Sequence, residues 1–228
     1  MKTAELAELI KSRRSIRVWQ DKPVPEELLL QAIELATWAP NGGNQQNWYF
    51  YLILNKKTIK AVADATQAGM SYMTSWPEMA QFRGFPPPPG RVPPGATAPP
   101  PPRRAPLSDA PALIAVGTRR TENPLAKVML AREKTDKKAA QMLQWDRAID
   151  SRIQSVSAAI AYLLLVLHQM GLGAVWMTGP LPSSKGDVEK VLKVPPEMDI
   201  VALIPVGYPA ESPTRDRKPV SEVCEVIR

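Results

Sequence analysis

The sequence predicts a mixed fold of helices and strands, held in a single domain that spans residues 1–228. The length is enough for one sizeable core, and the hydrophobic and charged contents of 44% and 22% are ordinary for a globular protein. Segments with helical periodicity alternate with short apolar runs. One of these runs, WYFYLIL at residues 48–54, predicts a strand buried on both faces. The predicted strands are residues 48–54, 112–117, 174–177 and 200–206.

The helices are predicted from apolar residues that recur at three- and four-residue spacing. Acidic residues after Pro25 mark the start of the second helix, and Pro40 ends it. The longest pattern, 151–170, is apolar on nearly all sides and stops at Gly171, which predicts deep burial or a subunit interface. The predicted helical segments are residues 3–12, 23–36, 56–70, 124–143, 151–170 and 183–192.

Residues 76–111 interrupt this alternation, because they hold most of the chain's 25 prolines. Such a segment forms neither regular helix nor central strand. Its composition alone suits a disordered linker or a ligand of proline-binding modules. Four apolar residues within it favour a lid or arm packed on the body, with an arm at a subunit interface as the alternative. These four residues are Trp76, Met79, Phe82 and Phe85.

Composition excludes several classes of site. A single cysteine, Cys224, rules out an internal disulfide, and with one histidine, His168, no Cys/His zinc site can form. The net charge of +7 indicates affinity for an anion, but scattered basic residues without a recognition signature disfavour nucleic acid. The apolar stretch 158–167 is too short for a membrane span, and the N-terminus lacks a secretory signal. We therefore expect a cytoplasmic protein without a metal site.

Two motifs predict a cofactor. Residues 13–17, RRSIR, place three guanidiniums and a hydroxyl within five positions, which suits a phosphate. Residues 39–48, APNGGNQQNW, form a turn rich in side-chain amides, which can pair with the edge of a heteroaromatic ring. Together they predict an anionic, ring-bearing cofactor held between two separated segments. No nucleophile–base set can be assembled, since His168 lies on an apolar helix and is expected to be structural.

These motifs, in this order, resemble the flavin-dependent nitroreductase family over most of the chain. The resemblance also includes GLGAVW at 171–176 after the long helix, and GYP at 207–209 followed by basic residues. It implies an α+β fold, with a central, mostly antiparallel sheet flanked by helices. It further implies an intertwined homodimer that binds FMN at the subunit interface.

The resemblance implies which residues bind FMN. The N-terminal motif and two arginines of the tail would hold the phosphate and ribityl chain. The amide turn would reach the flavin from the other subunit, and residues 177–179 would lie against the isoalloxazine. The turn departs from the family pattern at Asn41 and Asn47, which keep hydrogen-bonding capacity. The implied cofactor-binding residues are Arg13, Arg14, Ser15, Arg17, Pro40, Asn41, Gly42, Asn44, Gln46, Met177, Thr178, Gly179, Arg215 and Arg217.

The implied activity is hydride transfer from NADH or NADPH, through flavin N5, to nitroaromatics, quinones or similar small electron-poor acceptors in a ping-pong sequence. Without a GxGxxG fingerprint, the nicotinamide is expected as a transient substrate. The backbone N–H of Thr178 would face N5, and its hydroxyl leaves reductive dehalogenation or oxidase chemistry open. Trp76, Met79, Phe82 and Phe85 are candidates for the substrate pocket. A non-catalytic flavin-binding scaffold is the remaining alternative.

Overall fold

The structure is a computed structural model that describes residues 2–81, 107–120 and 124–228. Phe82, Phe85 and the two tetraproline tracts fall outside these ranges. The helices are α1 (Thr3–Ser12), α2 (Glu26–Ala36), α3 (Lys56–Thr74), α4 (Pro124–Arg132), α5 (Lys137–Ile149), α6 (Ser151–Gln169) and α7 (Leu181–Leu192). The strands are β1 (Trp48–Ile53), β2 (Ala112–Arg119), β3 (Gly173–Ala174) and β4 (Met198–Gly207).

The strands form one antiparallel sheet in the order β1-β2-β4-β3. Alternate residues of β2 point to opposite faces, so Ile114 and Val116 pack with α2 and α6, whereas Leu113 and Ala115 pack with α3 and α7. Helices therefore cover both faces of the sheet. The prediction of an α+β fold with a central antiparallel sheet is confirmed.

The prediction that residues 48–54 are buried on both faces is wrong. This segment forms β1, which lies at the edge of the sheet, and Tyr49 is 51% exposed. Its ring contacts that of Tyr51, two residues further on the same face, at 4.8 Å between centroids. An aromatic run signals a pleated, partly covered surface as readily as an interior strand. Sequence alone therefore could not place this strand within the sheet.

Two other predicted segments differ in detail. The helical pattern at 124–143 is two helices, α4 and α5, because the chain turns between them and Asp136 caps α5 by accepting from the N–H groups of Lys138 and Ala139. The strand predicted at 174–177 pairs in the ladder only as β3, with one further bridge between Met177 and Leu203. In both cases the predicted type of secondary structure is correct, but the regular structure is interrupted within the segment.

Helix α6 is the central helix of the core. Its buried residues are all on one side, whereas Tyr162 on the other side is exposed. Gly171, at φ +77°, ends it, and the Leu172 N–H returns to the Leu167 carbonyl at 2.8 Å. Among the described residues one stretch, 137–169, is long and apolar enough for a membrane span, with a mean hydropathy of 1.3. Because one side of α6 is buried against the sheet and α2, we interpret α6 as a core helix.

Asp199 on β4 is the centre of a charged cluster that ties strands to helices. Its side chain is 13% exposed and pairs with Arg120 at 2.6 Å, Arg152 at 2.8 Å and Lys185 at 2.8 Å. These cations come from the end of β2, from α6 and from α7. The hydrogen bond from Arg120, followed by those from Lys185 and Arg152, holds the pKa of Asp199 far below its usual range. The carboxylate therefore stabilises the fold only while it is ionised.

We expect Asp199→Asn to lower the free energy of unfolding at pH 7 by about 2–3 kcal/mol, because three cations lose their shared partner. A carboxylate with a depressed pKa in the folded state stabilises above its unfolded pKa, near 4, and this contribution is lost as pH falls further. The difference between wild type and variant should therefore shrink below about pH 4. Urea unfolding at pH 7 and pH 3 measures the free energy of unfolding of wild type and variant. If the two proteins differ by the same amount at both pH values, the electrostatic explanation is contradicted.

Candidate active site

The RRSIR segment lies along the free side of β3. The Ile16 N–H donates to the Ala174 carbonyl at 3.1 Å, and Ser15 forms a parallel bridge with Ala174. A Cβ added at Gly173 would lie 2.7 Å from the Ile16 side chain. Glycine at 173 therefore allows the arginine-bearing segment to approach the sheet, and the indole N–H of Trp19 closes the contact by donating to the Gly173 carbonyl at 2.9 Å.

The start of the C-terminal tail pairs with the same segment from the other side. The Gln20 N–H donates to the Tyr208 carbonyl at 2.9 Å, and the Ala210 N–H donates to the Val18 carbonyl at 3.0 Å. Glu211 accepts hydrogen bonds from two further backbone N–H groups of the segment. The first and last motifs of the sequence are therefore joined in space, about 190 residues apart in the chain.

Among the residues that the structure describes, the arginines at this junction form no ion pair with a carboxylate. Burial, then the charge of Arg217, then that of Arg14 lower the pKa of the Arg13 guanidinium. The Nε atom of Arg14 is buried and has no hydrogen-bond partner. Within the described residues, none of the ion pairs includes Arg13, Arg14, Arg17, Arg215 or Arg217. This arrangement fits an anion such as a phosphate.

Arg13 and Arg14 both lie near one cavity of about 330 Å³. Arg14 and Ile16 line it, together with the end of α6 and residues 209 and 211–214 of the tail, and the charge of Arg13 acts both on Arg217 and on His168 in the cavity wall. His168 is part of the cavity wall, and its Nε2 atom lies 2.9 Å from the Ser12 hydroxyl. Burial, followed by the charges of Arg13 and Arg14, lowers the pKa of His168. Its neutral form is favoured next to these cations.

The amide turn has a backbone that few residue types adopt. Gly43, Asn44 and Gln46 have φ values of +61°, +52° and +46°, in the left-handed region that glycine and asparagine tolerate best. The Asn41 side chain accepts from the Gln46 N–H at 3.0 Å and so closes the turn. The side chains of Asn44 and Gln46 are exposed, as are Pro40 and Gly42. The turn therefore presents free amide groups outward.

The two motifs lie at opposite ends of α6. The Gly42 N–H donates to the hydroxyl of buried Ser155, in the first turns of the helix, at 3.3 Å. His168, at the last turn, lies in the cavity with Arg14. Thirteen residues of helix separate Ser155 from His168, which corresponds to about 20 Å. Within one chain, the turn and the arginines are therefore far apart.

Residues 177–179 leave β3 and lead into α7. Met177 is partly buried and exchanges two hydrogen bonds with Leu203, each 2.9 Å long. Thr178 and Gly179 are exposed, and the Thr178 carbonyl accepts from the Leu181 N–H at 3.0 Å. Among the hydrogen bonds of the described residues, none uses the Thr178 N–H as donor. A free amide at this position can serve an external acceptor.

Of the four substrate-pocket candidates, Trp76 and Met79 lie in the described part of the chain. Trp76 follows α3 and stacks edge-on against Tyr72, with 5.8 Å between ring centroids. Helix α3 packs on α7, so closely at Gly69 that an added Cβ would overlap the Ser183 carbonyl. The end of α3 therefore runs beside the start of α7, which directly follows Thr178 and Gly179.

Sequence reasoning missed several residues of the site. Glu211 carries no motif of its own, and its role arises only from pairing with a segment at the other end of the chain. His168, which is predicted to be structural, lies at the helix end that forms the cavity wall. Ser155 carries no motif, and its hydroxyl accepts from the Gly42 N–H of the turn. None of these contacts has a local sequence signal.

A sequence profile of the Nitroreductase family matches residues 10–208. A protein of Methanothermobacter thermautotrophicus, provisionally named NADH dehydrogenase/NAD(P)H nitroreductase, is 28% identical over 215 residues, or 93% of this chain and 82% of that protein. An iodotyrosine deiodinase of Thermotoga neapolitana is 26% identical over 230 residues, which cover 97% of this chain and 95% of that protein. An oxidized iodotyrosine deiodinase bound to FMN and 3-iodo-L-tyrosine has a similar fold, with TM-score 0.63 and 22% identity over 98% and 97% of the two chains. The resemblance inferred from the motifs is thus confirmed, and the chain belongs to the nitroreductase family.

Proposed function

We propose that the protein is an FMN-dependent oxidoreductase that passes hydride from NADH or NADPH to nitroaromatics, quinones or similar electron-poor acceptors. The observation that carries this proposal is the pairing of the tail with the N-terminal segment through backbone hydrogen bonds, which brings Arg217 close enough to Arg13 for their charges to interact. Among the described residues, neither arginine forms an ion pair with a carboxylate. A phosphate group would supply the missing negative charge. Family membership, and the FMN held by the iodotyrosine deiodinase of similar fold, support FMN as its source.

In this proposal the chain's own residues bind and orient the cofactor. Arg13, Arg217 and the neighbouring Arg215 neutralise the phosphate, and Ser15 and Arg17 hold the ribityl side. When bound, FMN supplies the redox chemistry, and the protein supplies binding, orientation and electrostatics. The free N–H of Thr178 donates to the ring, and the cationic surroundings favour added negative charge.

We further propose that the site is completed by a second copy of the chain. The amide turn and the arginines of one chain lie at opposite ends of α6, so a partner subunit is the simpler source of the turn. Large aromatic side chains are exposed on α6 and next to the turn, since Tyr162 is 43% and Trp38 is 76% exposed. Aromatic side chains of this kind are enriched at protein interfaces. A homodimer covers this surface and brings the turn to the flavin.

We place the acceptor between residues 177–179 and the end of α3, where Trp76 and Met79 lie. The contact of α3 with the start of α7 supports this placement, because it brings the aromatic pair Tyr72 and Trp76 towards Thr178. Flat, electron-poor acceptors stack favourably on such side chains. The nicotinamide of the donor would use the same space before the acceptor enters.

An anaerobic absorbance titration with NADH and with NADPH tests the proposed function. We expect the purified protein to bind FMN, its visible absorbance to bleach with one equivalent of a nicotinamide nucleotide, and a nitroaromatic or quinone to restore it. Protein that cannot be loaded with FMN would contradict the proposal at its first step. Loaded protein that resists both nucleotides would favour a flavin-binding scaffold instead.

A second candidate activity on the same site is reductive dehalogenation, since an iodotyrosine deiodinase is among the relatives and Thr178 offers a hydroxyl beside its free amide. Thr178→Ala separates the two activities. We expect less than about a threefold loss of kcat/KM with a nitroaromatic, because the backbone N–H remains. If dehalogenation of an iodophenol is the main activity, the same variant should lose it by tenfold or more. Thr178→Ser, which keeps a hydroxyl, is the matched control.

A further inference from the structure

We propose that Glu211 is a positioning residue that holds the two halves of the phosphate-binding site together. The inference rests on the proposed function, because it concerns how the flavin phosphate is bound. Among the described residues, Glu211 is the only acidic side chain in the wall of the cavity that also contains Arg14 and His168. A carboxylate next to a phosphate site opposes phosphate binding by its charge, so its presence there requires another explanation.

The hydrogen bonds of Glu211 supply that explanation. One carboxylate oxygen, Oε1, accepts from the N–H groups of two consecutive residues, Arg17 and Val18, the latter at 3.1 Å. These N–H groups belong to the RRSIR segment and its continuation, whereas Glu211 belongs to the tail. The carboxylate therefore joins chain segments that are 193 and 194 residues apart. Bonds from backbone N–H to a carboxylate are stronger than those to a neutral acceptor.

The hydrogen bonds of Glu211 come just before the two arginines of the tail and therefore affect where these arginines lie. Residues 208–210 pair with residues 18–20 through backbone bonds, and Glu211 is the last residue of the tail that contacts this segment in the described hydrogen bonds. Arg215 and Arg217 follow four and six residues later. Without the Glu211 contact, the tail would separate from the N-terminal segment after residue 210, and Arg217 would no longer be held near Arg13. The preorganisation of the phosphate site would be lost.

The test compares FMN with riboflavin, which lacks the phosphate, in fluorescence titrations of Glu211→Ala and Glu211→Gln. We expect Glu211→Ala to weaken FMN binding by tenfold or more and riboflavin binding by less than about twofold. Glu211→Gln should stay within about threefold of wild type for FMN, because the amide oxygen still accepts both N–H groups. Glu225→Ala, an exposed glutamate of the same tail, is the control and should bind like wild type.

Three results would overturn the inference. Wild-type affinity for FMN in Glu211→Ala would mean that the tail is held without this side chain. Equal weakening of FMN and riboflavin would indicate a general loss of structure. Equal weakening in the alanine and glutamine variants would mean that an uncharged oxygen accepting the two N–H groups does not hold the tail in place. If wild-type protein itself fails to bind FMN, the proposed function is wrong, and this outcome is distinct from failure in the Glu211 variants alone.

Discussion

Arg13→Ala is expected to weaken FMN binding by about two orders of magnitude, while the apo protein stays at least as stable as wild type. Two charge-assisted hydrogen bonds to a phosphate account for a loss of this size. The stability of the apo protein should not fall, because burial and the like charges of Arg217 and Arg14 already disfavour the charged form of Arg13. Removal of its charge relieves this repulsion.

Flavin fluorescence titrations at low and high salt measure the loss of FMN affinity in Arg13→Ala, and thermal unfolding without FMN measures the stability of the apo protein. The salt dependence of binding should be smaller in the variant, since one cationic contact is gone. Arg132→Ala on α4 is a matched control, because this exposed arginine has only a 4.0 Å pair with Asp136. An unchanged FMN affinity, or an apo variant that melts several degrees lower, would show that Arg13 has a structural role instead.

The fold was largely predictable because its elements carry strong local signals. The periodicity of α1 and α6 predicts these two helices, Gly171 marks the end of α6, and Pro40 limits how far α2 can extend, although α2 itself ends at Ala36. The position of β1 at the sheet edge was not predictable. Whether an aromatic strand has one neighbour or two depends on which strands pair, and pairing is decided by segments distant in the chain.

The site was predictable in its parts but not in its arrangement. Guanidiniums at residues 13–17 and amides at residues 41–46 indicate their chemistry wherever they fold. The meeting of Arg13 and Arg14 with Arg217 and His168 depends on the path of the chain beside β3. Thr178 is predicted through the family resemblance alone, because no local pattern marks it, and its N–H donates to none of the described groups.

The separation of the amide turn from the arginines has a consequence for assembly. A cofactor that needs both motifs must span about 20 Å within one chain or lie between two chains. Exposed apolar residues are candidates for the place where two chains meet, and Tyr162, 43% exposed in the middle of α6, lies between the helix ends that contact the two motifs. If the flavin site is shared, then dimerisation and FMN binding must fail together.

Tyr162→Asp is therefore expected to convert a dimer to a monomer at micromolar concentration and to weaken FMN binding by more than tenfold, although Tyr162 lies on neither cofactor motif. A charge placed in an apolar interface loses its hydration without gaining a partner, which costs several kcal/mol. Sedimentation velocity gives the oligomeric state, and fluorescence titration of the same samples gives the FMN affinity.

Tyr72→Asp is the matched control. Tyr72 is 67% exposed on α3, which covers the opposite face of the sheet from α6, so the same substitution there should leave the dimer intact. A Tyr162→Asp variant that remains dimeric would place the interface elsewhere. A monomeric variant that binds FMN as tightly as wild type would mean that one chain holds the whole site, and the amide turn would then need another role.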